Sequence, residues 1–235
     1  MGSIILFLVV VGAIVAVWLS RQRLMAKPWL EEGPIGEVPG TGAVSLPAAT
    51  IGLGVFLVVV GSLFALLISA YSVRMAMTDW QAVPVSGLLW FNTGLLVASS
   101  VALQLAHAAA SRRRMDDLKL GLLAGGSLAL MFLVGQVLAG RQLYEAGYFM
   151  ASNPANAFFY LLVALHGLHL SGGVVALGRT AGKVWRDRDR RDRIRLSVGL
   201  CAAYWHFLLF VWLVVMALLM GWANGFVALC GRLFS

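Results

Sequence analysis

The chain has 235 residues, of which 60% are hydrophobic and only 12% charged, with 26 glycines and a formal net charge of +8. That balance excludes an ordinary water-soluble domain and a charged disordered segment, and it describes a polytopic membrane protein. The alternating ten-residue segments that a membrane β-barrel needs are absent, so the fold class is all-α, a helical bundle.

Six apolar runs are long enough to cross a bilayer, at about 3–20, 48–73, 86–110, 120–140, 156–178 and 197–222. They divide the chain into an N-terminal transmembrane helix (1–22), a Pro/Gly linker (23–47), a five-helix core (48–222) and a tail (223–235). The basic residues gather in three loops: Arg21, Arg23 and Lys27; Arg112, Arg113, Arg114 and Lys119; and the run Arg179 to Arg195. The loops between them carry only Arg74, Arg141 and Arg232. This alternation predicts basic loops in the cytoplasm and both termini outside. It also accounts for the net charge without a nucleic-acid partner, since the same residues attract anionic lipid.

The first run, Ile4 to Leu19, has no basic residue before it and Arg21 and Arg23 after it, so it reads as a retained helix rather than a signal peptide. The linker behind it, with Pro28, Pro34 and Pro39, is too rich in breakers to be helical throughout. In the second run, Gly54 and Gly61 bring small residues towards one face, which suits close helix packing. Trp80 and Trp90 follow as candidate interfacial anchors. The third run holds Asn92, Thr93, Ser99, Ser100, Gln104 and His107; Asn92, Ser99 and Ser100 share a stripe suited to hydrogen bonding between helices.

The fourth run contains Phe132 and Gln136, and the fifth reads Phe158-Phe159-Tyr160 through His166-Gly167-Leu168-His169. Two histidines three residues apart in an otherwise apolar run lie on neighbouring parts of one helix face. Arg and Asp then alternate from Arg186 to Arg193, the pattern of a self-paired, solvated loop. The sixth run carries Tyr204-Trp205-His206-Phe207 and Trp212. Cys201 and Cys230 form no metal or redox spacing.

No Asp, Glu, Lys or Arg lies in the middle of any run, which makes the chain a poor carrier of protons or ions by itself. The histidines leave two readings open. They can bond neighbouring helices, or His166 or His169 can face His206 at compatible depth as axial ligands of a haem, making an independent haem-carrying membrane protein. A metal held by His166 and His169 lacks a third ligand nearby.

The stretches His166-Gly167-Leu168-His169, Tyr204-Trp205-His206-Phe207 with Trp212, Asn92-Thr93 with Ser99-Ser100, and Phe132 with Gln136 resemble, in order, the motifs of subunit III of the haem-copper terminal oxidases. The resemblance runs from about Ile51 to Trp222. It implies a non-catalytic subunit that supports the assembly and stability of catalytic subunit I, together with subunit II, in an O₂-reducing oxidase of a bacterial inner membrane. Haem and copper are then expected in those partners, and none in this chain. It also implies bound phospholipid, with His169 near a headgroup and Lys183 as the cation for its phosphate. The subunit III-like protein of nitric oxide reductase is the related alternative. Three acids usual in the family fall here on Val60, Gly199 and Leu209, which argues against a proton-collecting role.

Overall fold

The computed structural model describes residues 47–84, 87–112, 114–186 and 191–221. The expected first helix, all but the last residue of the linker and the expected tail lie outside the described residues. Those described form five helices: α1 (Ala48–Met75), α2 (Gly87–Ser111), α3 (Met115–Glu145), α4 (Pro154–Arg186) and α5 (Arg191–Leu219). All five are long and apolar enough to cross a membrane, and the described residues include no strand. The chain is a multi-pass membrane protein.

Local chemistry sets the helix ends. Asn153 caps α4, its side-chain oxygen accepting from the Ala155 amide at 3.0 Å, and Pro154 occupies the first helical position, where its missing N–H is no loss. Gly147, at φ 88°, turns the chain out of α3 through the left-handed region. Asp116 and Asp117 sit in the first turn of α3, where the helix dipole favours negative charge.

Helices α3 and α4 outrun the apolar segments that predict them. The 33 residues of α4 amount to about 50 Å of axis against a hydrocarbon core of about 30 Å. The expected loop from Arg179 to Arg195 is therefore mostly helix, belonging to the last turns of α4 and the first of α5. Long basic side chains are good helix formers, and beyond the hydrocarbon nothing stops the helix continuing in water.

The most extensive helix pair is α2 with α3. Gly121 and Gly125 of α3, a small-xxx-small pair, allow it. A Cβ on Gly121 would lie 2.8 Å from the Ala106 Cβ, and one on Gly125 2.8 Å from the Leu103 Cγ. The expectation of close packing at Gly54 is corrected: it faces open space, and only Gly61 meets a neighbour, the Phe207 ring. Apolar sequence alone does not say which small residues face a partner. Helix α1 packs on α5 and α4 and buries only Val60, Phe64 and Tyr71. Leu53, Leu57, Leu67 and Ile68 are partly buried against the core, while Val55, Phe56, Val58, Val59 and Leu66 form an exposed apolar face, as a lipid-facing helix requires. Trp80 stacks edge-on against Tyr71 at 4.8 Å, whereas Trp90 stays exposed.

Candidate functional site

The motif residues of α2 and α5 form one structure, an antiparallel polar zipper. Trp212 donates its indole N–H to the Thr93 hydroxyl at 2.9 Å, and that hydroxyl donates to the Leu89 carbonyl. Six residues on along α2 and seven back along α5, Trp205 donates to the Ser99 hydroxyl at 3.0 Å. Ser99 in turn donates to the Gly125 carbonyl at 2.7 Å, so one serine ties α5, α2 and α3 together. Ser100 bonds the Nδ1 of His206, whose Nε2 reaches the Gln104 side chain at 3.0 Å. Six or seven residues make about two helical turns, which is why the two hydroxyls and the two indoles recur on facing sides of their helices and meet.

His166 is fully buried in an aromatic box of Trp212 at 5.1 Å, Phe132 at 5.8 Å and Phe64 at 6.4 Å between ring centres. Neither of its ring nitrogens has a protein partner among the described residues. The same holds for the side-chain amides of Asn92 and Gln136, both buried. Asn92 lies against Gly135, where a Cβ would collide with its amide.

His169, three residues on, faces a different environment. Its Nδ1 lies 2.8 Å from the Leu165 carbonyl, an acceptor, so that nitrogen carries the proton and Nε2 of the neutral ring is an acceptor. Its own carbonyl receives the Tyr204 hydroxyl at 2.8 Å. His169 lines an apolar groove of about 430 Å³ between α1, α4 and α5, with Phe56, Gly172, Gly173 and Trp205 among its walls. Gly167 lies beside the Leu133 side chain on another face of α4. Lys183 is exposed near the end of α4, fourteen residues beyond His169 and so about 21 Å along the axis. The two do not form a single compact site.

The haem reading meets a physical obstacle here. Both ring nitrogens of His206 are engaged by Ser100 and Gln104, so this histidine offers no free lone pair to an iron. Among the described residues no cluster of three or more His, Cys, Asp or Glu could hold a metal ion. Of the three positions where the motif resemblance sets an acid, Val60 is buried and Leu209 half-buried. At Gly199, a Cβ would stand 2.9 Å from the His107 ring. That contact is invisible in sequence, because nothing there joins residues so far apart.

Comparison with known proteins agrees with this geometry. The family model for cytochrome c oxidase subunit III matches residues 52–224. The probable cytochrome c oxidase subunit 3 of Mycobacterium tuberculosis is 31% identical over 140 residues, 58% of this chain and 63% of that protein. The chain thus spans a little under two thirds of that mycobacterial relative. The cytochrome c oxidase subunit 3 of Synechocystis is 30% identical over 175 residues, covering 71% of this chain and 72% of the other. That of Thermostichus vulcanus is 26% identical over 176 residues, covering 72% and 85%. The matched region contains the zipper, the aromatic box and the His169 groove together, and the chain belongs to the cytochrome c oxidase subunit III family.

Proposed function

We infer that the chain is a non-catalytic subunit of a bacterial haem-copper terminal oxidase, and that it assembles with, and stabilises, the catalytic subunit. The observation that carries this reading is the use made of its polar side chains. The motif hydroxyls, indoles and His206 are spent on bonds between helices, and none forms a titratable chain across the membrane. Haem and copper belong in this reading to the partner subunits I and II. The loops that join α2 to α3 and α4 to α5 face the cytoplasm.

The groove along α4 is a phospholipid site. A lipid leaflet has a hydrocarbon half-thickness of about 15 Å. A headgroup phosphate at Lys183 therefore sets an acyl chain, not a headgroup, beside His169, and the apolar walls of the groove suit one. The Lys183 ammonium meets phosphate as a point charge, without the bidentate grip of an arginine.

The test is gentle purification of the native complex through a tag on this chain, with an absorbance spectrum and identification of the co-purifying subunits. A haem-copper catalytic subunit and O₂ reduction are the expected result. NO reduction by the complex would move the chain to the nitric oxide reductase branch, and a chain that emerges alone and colourless would overturn the reading.

A further inference from the structure

Exposed hydroxyls inside the spans mostly return to their own backbone: Ser62 to Val58, Ser127 to Ala124 and Ser171 to Gly167. One exposed polar pair behaves differently. Gln104 of α2 and His206 of α5 are both exposed and bonded to each other across the two helices. The Gln104 Oε1 only accepts, so His206 Nε2 carries the proton and Nδ1 accepts from the Ser100 hydroxyl. This leaves the Gln104 amide nitrogen, with two N–H groups, without an acceptor among the described residues.

Gln104 stands seven residues before the end of α2 at Ser111, about 10 Å along the axis. That depth is below the headgroups, and hydrocarbon offers no acceptor, so an open amide there is unfavourable. Its surroundings are two apolar ridges. On α5, His206, Phe210 and Leu213 repeat at helical spacing, with Phe210 64% exposed; on α2, Val101 and Leu105 are 53% and 63% exposed. A single hydrogen-bonding group inside an apolar face is the pattern by which helices recognise each other in a bilayer.

We propose that the α2–α5 face is the surface on which a transmembrane helix of a partner subunit docks, presenting a hydrogen-bond acceptor at the level of Gln104. The acceptor is a hydroxyl, an amide oxygen or a carbonyl freed from its own helix. The occupant follows from complementarity: this chain supplies an unused donor at a depth where lipid supplies no acceptor. The proposal rests on the oxidase-subunit reading above and adds to it the face that makes the contact.

The test places the photo-reactive residue benzoyl-phenylalanine at Leu105 or Phe210 in the native complex, and at Leu130 of α3 or Leu168 of α4 as controls on other exposed faces. Adducts with an integral oxidase subunit are expected from Leu105 and Phe210. If those two positions label only lipid or a second copy of this chain, while partner adducts come from Leu130 or Leu168, the proposed face is wrong and the subunit reading survives. A preparation that holds no oxidase subunit sinks both. In parallel, Gln104→Leu should lower retention of this chain in the complex about threefold to tenfold on detergent challenge. Its helical circular dichroism and elution as an isolated chain should be unchanged. Retention equal to the parent would overturn the anchoring role of Gln104.

Discussion

The indole of Trp205 is fully buried, and its N–H reaches the Ser99 hydroxyl from the neighbouring helix. A hydrogen bond of this kind inside a membrane contributes about 0.5–1.5 kcal/mol. The volume of the ring counts for more, since removing a buried Trp costs about 3–5 kcal/mol. Trp205→Phe should therefore destabilise the purified chain by about 1 kcal/mol and Trp205→Ala by several times that, read as thermal or denaturant unfolding in detergent. Equal losses from both would mean that the bond, not the packing, dominates. Gly199 makes a different case, because the His107 ring occupies the space its side chain would need. Placing there the acid that the motif resemblance implies, Gly199→Glu should destabilise the chain by about 2 kcal/mol or more through overpacking and a buried carboxyl. His107→Ala in the same chain should recover part of that loss, and a double-mutant cycle measures how much. Additive losses would show that His107 is not what excludes the side chain.

At the scale of the helix, the sequence reveals existence and hides contact. The five described spans follow from apolar length alone, and Asn153-Pro154 announces the start of α4. The polar stripe of α2 is legible in the sequence, but its joining with the indoles of α5 into one zipper is not, since pairing depends on which faces turn inward. The sequence points to Gly54 rather than to Gly121 and Gly125, because several small residues are available and only packing distinguishes them. His166 and His169 looked like a pair, yet one is sealed among aromatic rings and the other lines a groove. The link between α1 and α2 has a staple that sequence distance does suggest: Arg74 donates to Asp79 at 2.7 Å. The hydrogen bond from Arg74 holds the Asp79 carboxyl below its usual range. A depressed carboxyl stabilises its segment above the unfolded pKa of about 4 and loses that contribution as pH falls through the folded value. Hydrogen exchange of amides around residues 74–80 should be slow near neutral pH, after correction for the intrinsic rate, and speed up below about pH 4. Asp79→Asn should show the faster exchange at every pH; a parent segment insensitive to acid would remove the staple from the account.

For the whole molecule the decisive property is charge asymmetry between the two ends of the bundle. One end gathers Arg112, Arg114, Lys119, Arg179, Lys183 and Arg186 around the α2–α3 and α4–α5 connections. Of these cations only Arg114 has a carboxylate partner, Asp117, among the described residues. At the other end Arg74 is paired with Asp79, which leaves Arg141 among the described residues there. Translocating the first end would carry the rest of its cations across the membrane against its potential, and would forfeit about 1 kcal/mol per cation of attraction to anionic lipid. The basic end is thus predicted to stay in the cytoplasm. A chain with Cys230→Ser, which retains only the buried Cys201, gives a suitable background. A cysteine placed at exposed Ser152, between α3 and α4, should react with a membrane-impermeant maleimide on intact cells. One at exposed Asp116, in the first turn of α3, should react only after the cells are opened. The inverse labelling would reverse the orientation and set Lys183 against the outer leaflet. Anionic headgroups are scarcer there, so the lipid reading of the α4 groove would have to be rebuilt on a zwitterionic lipid.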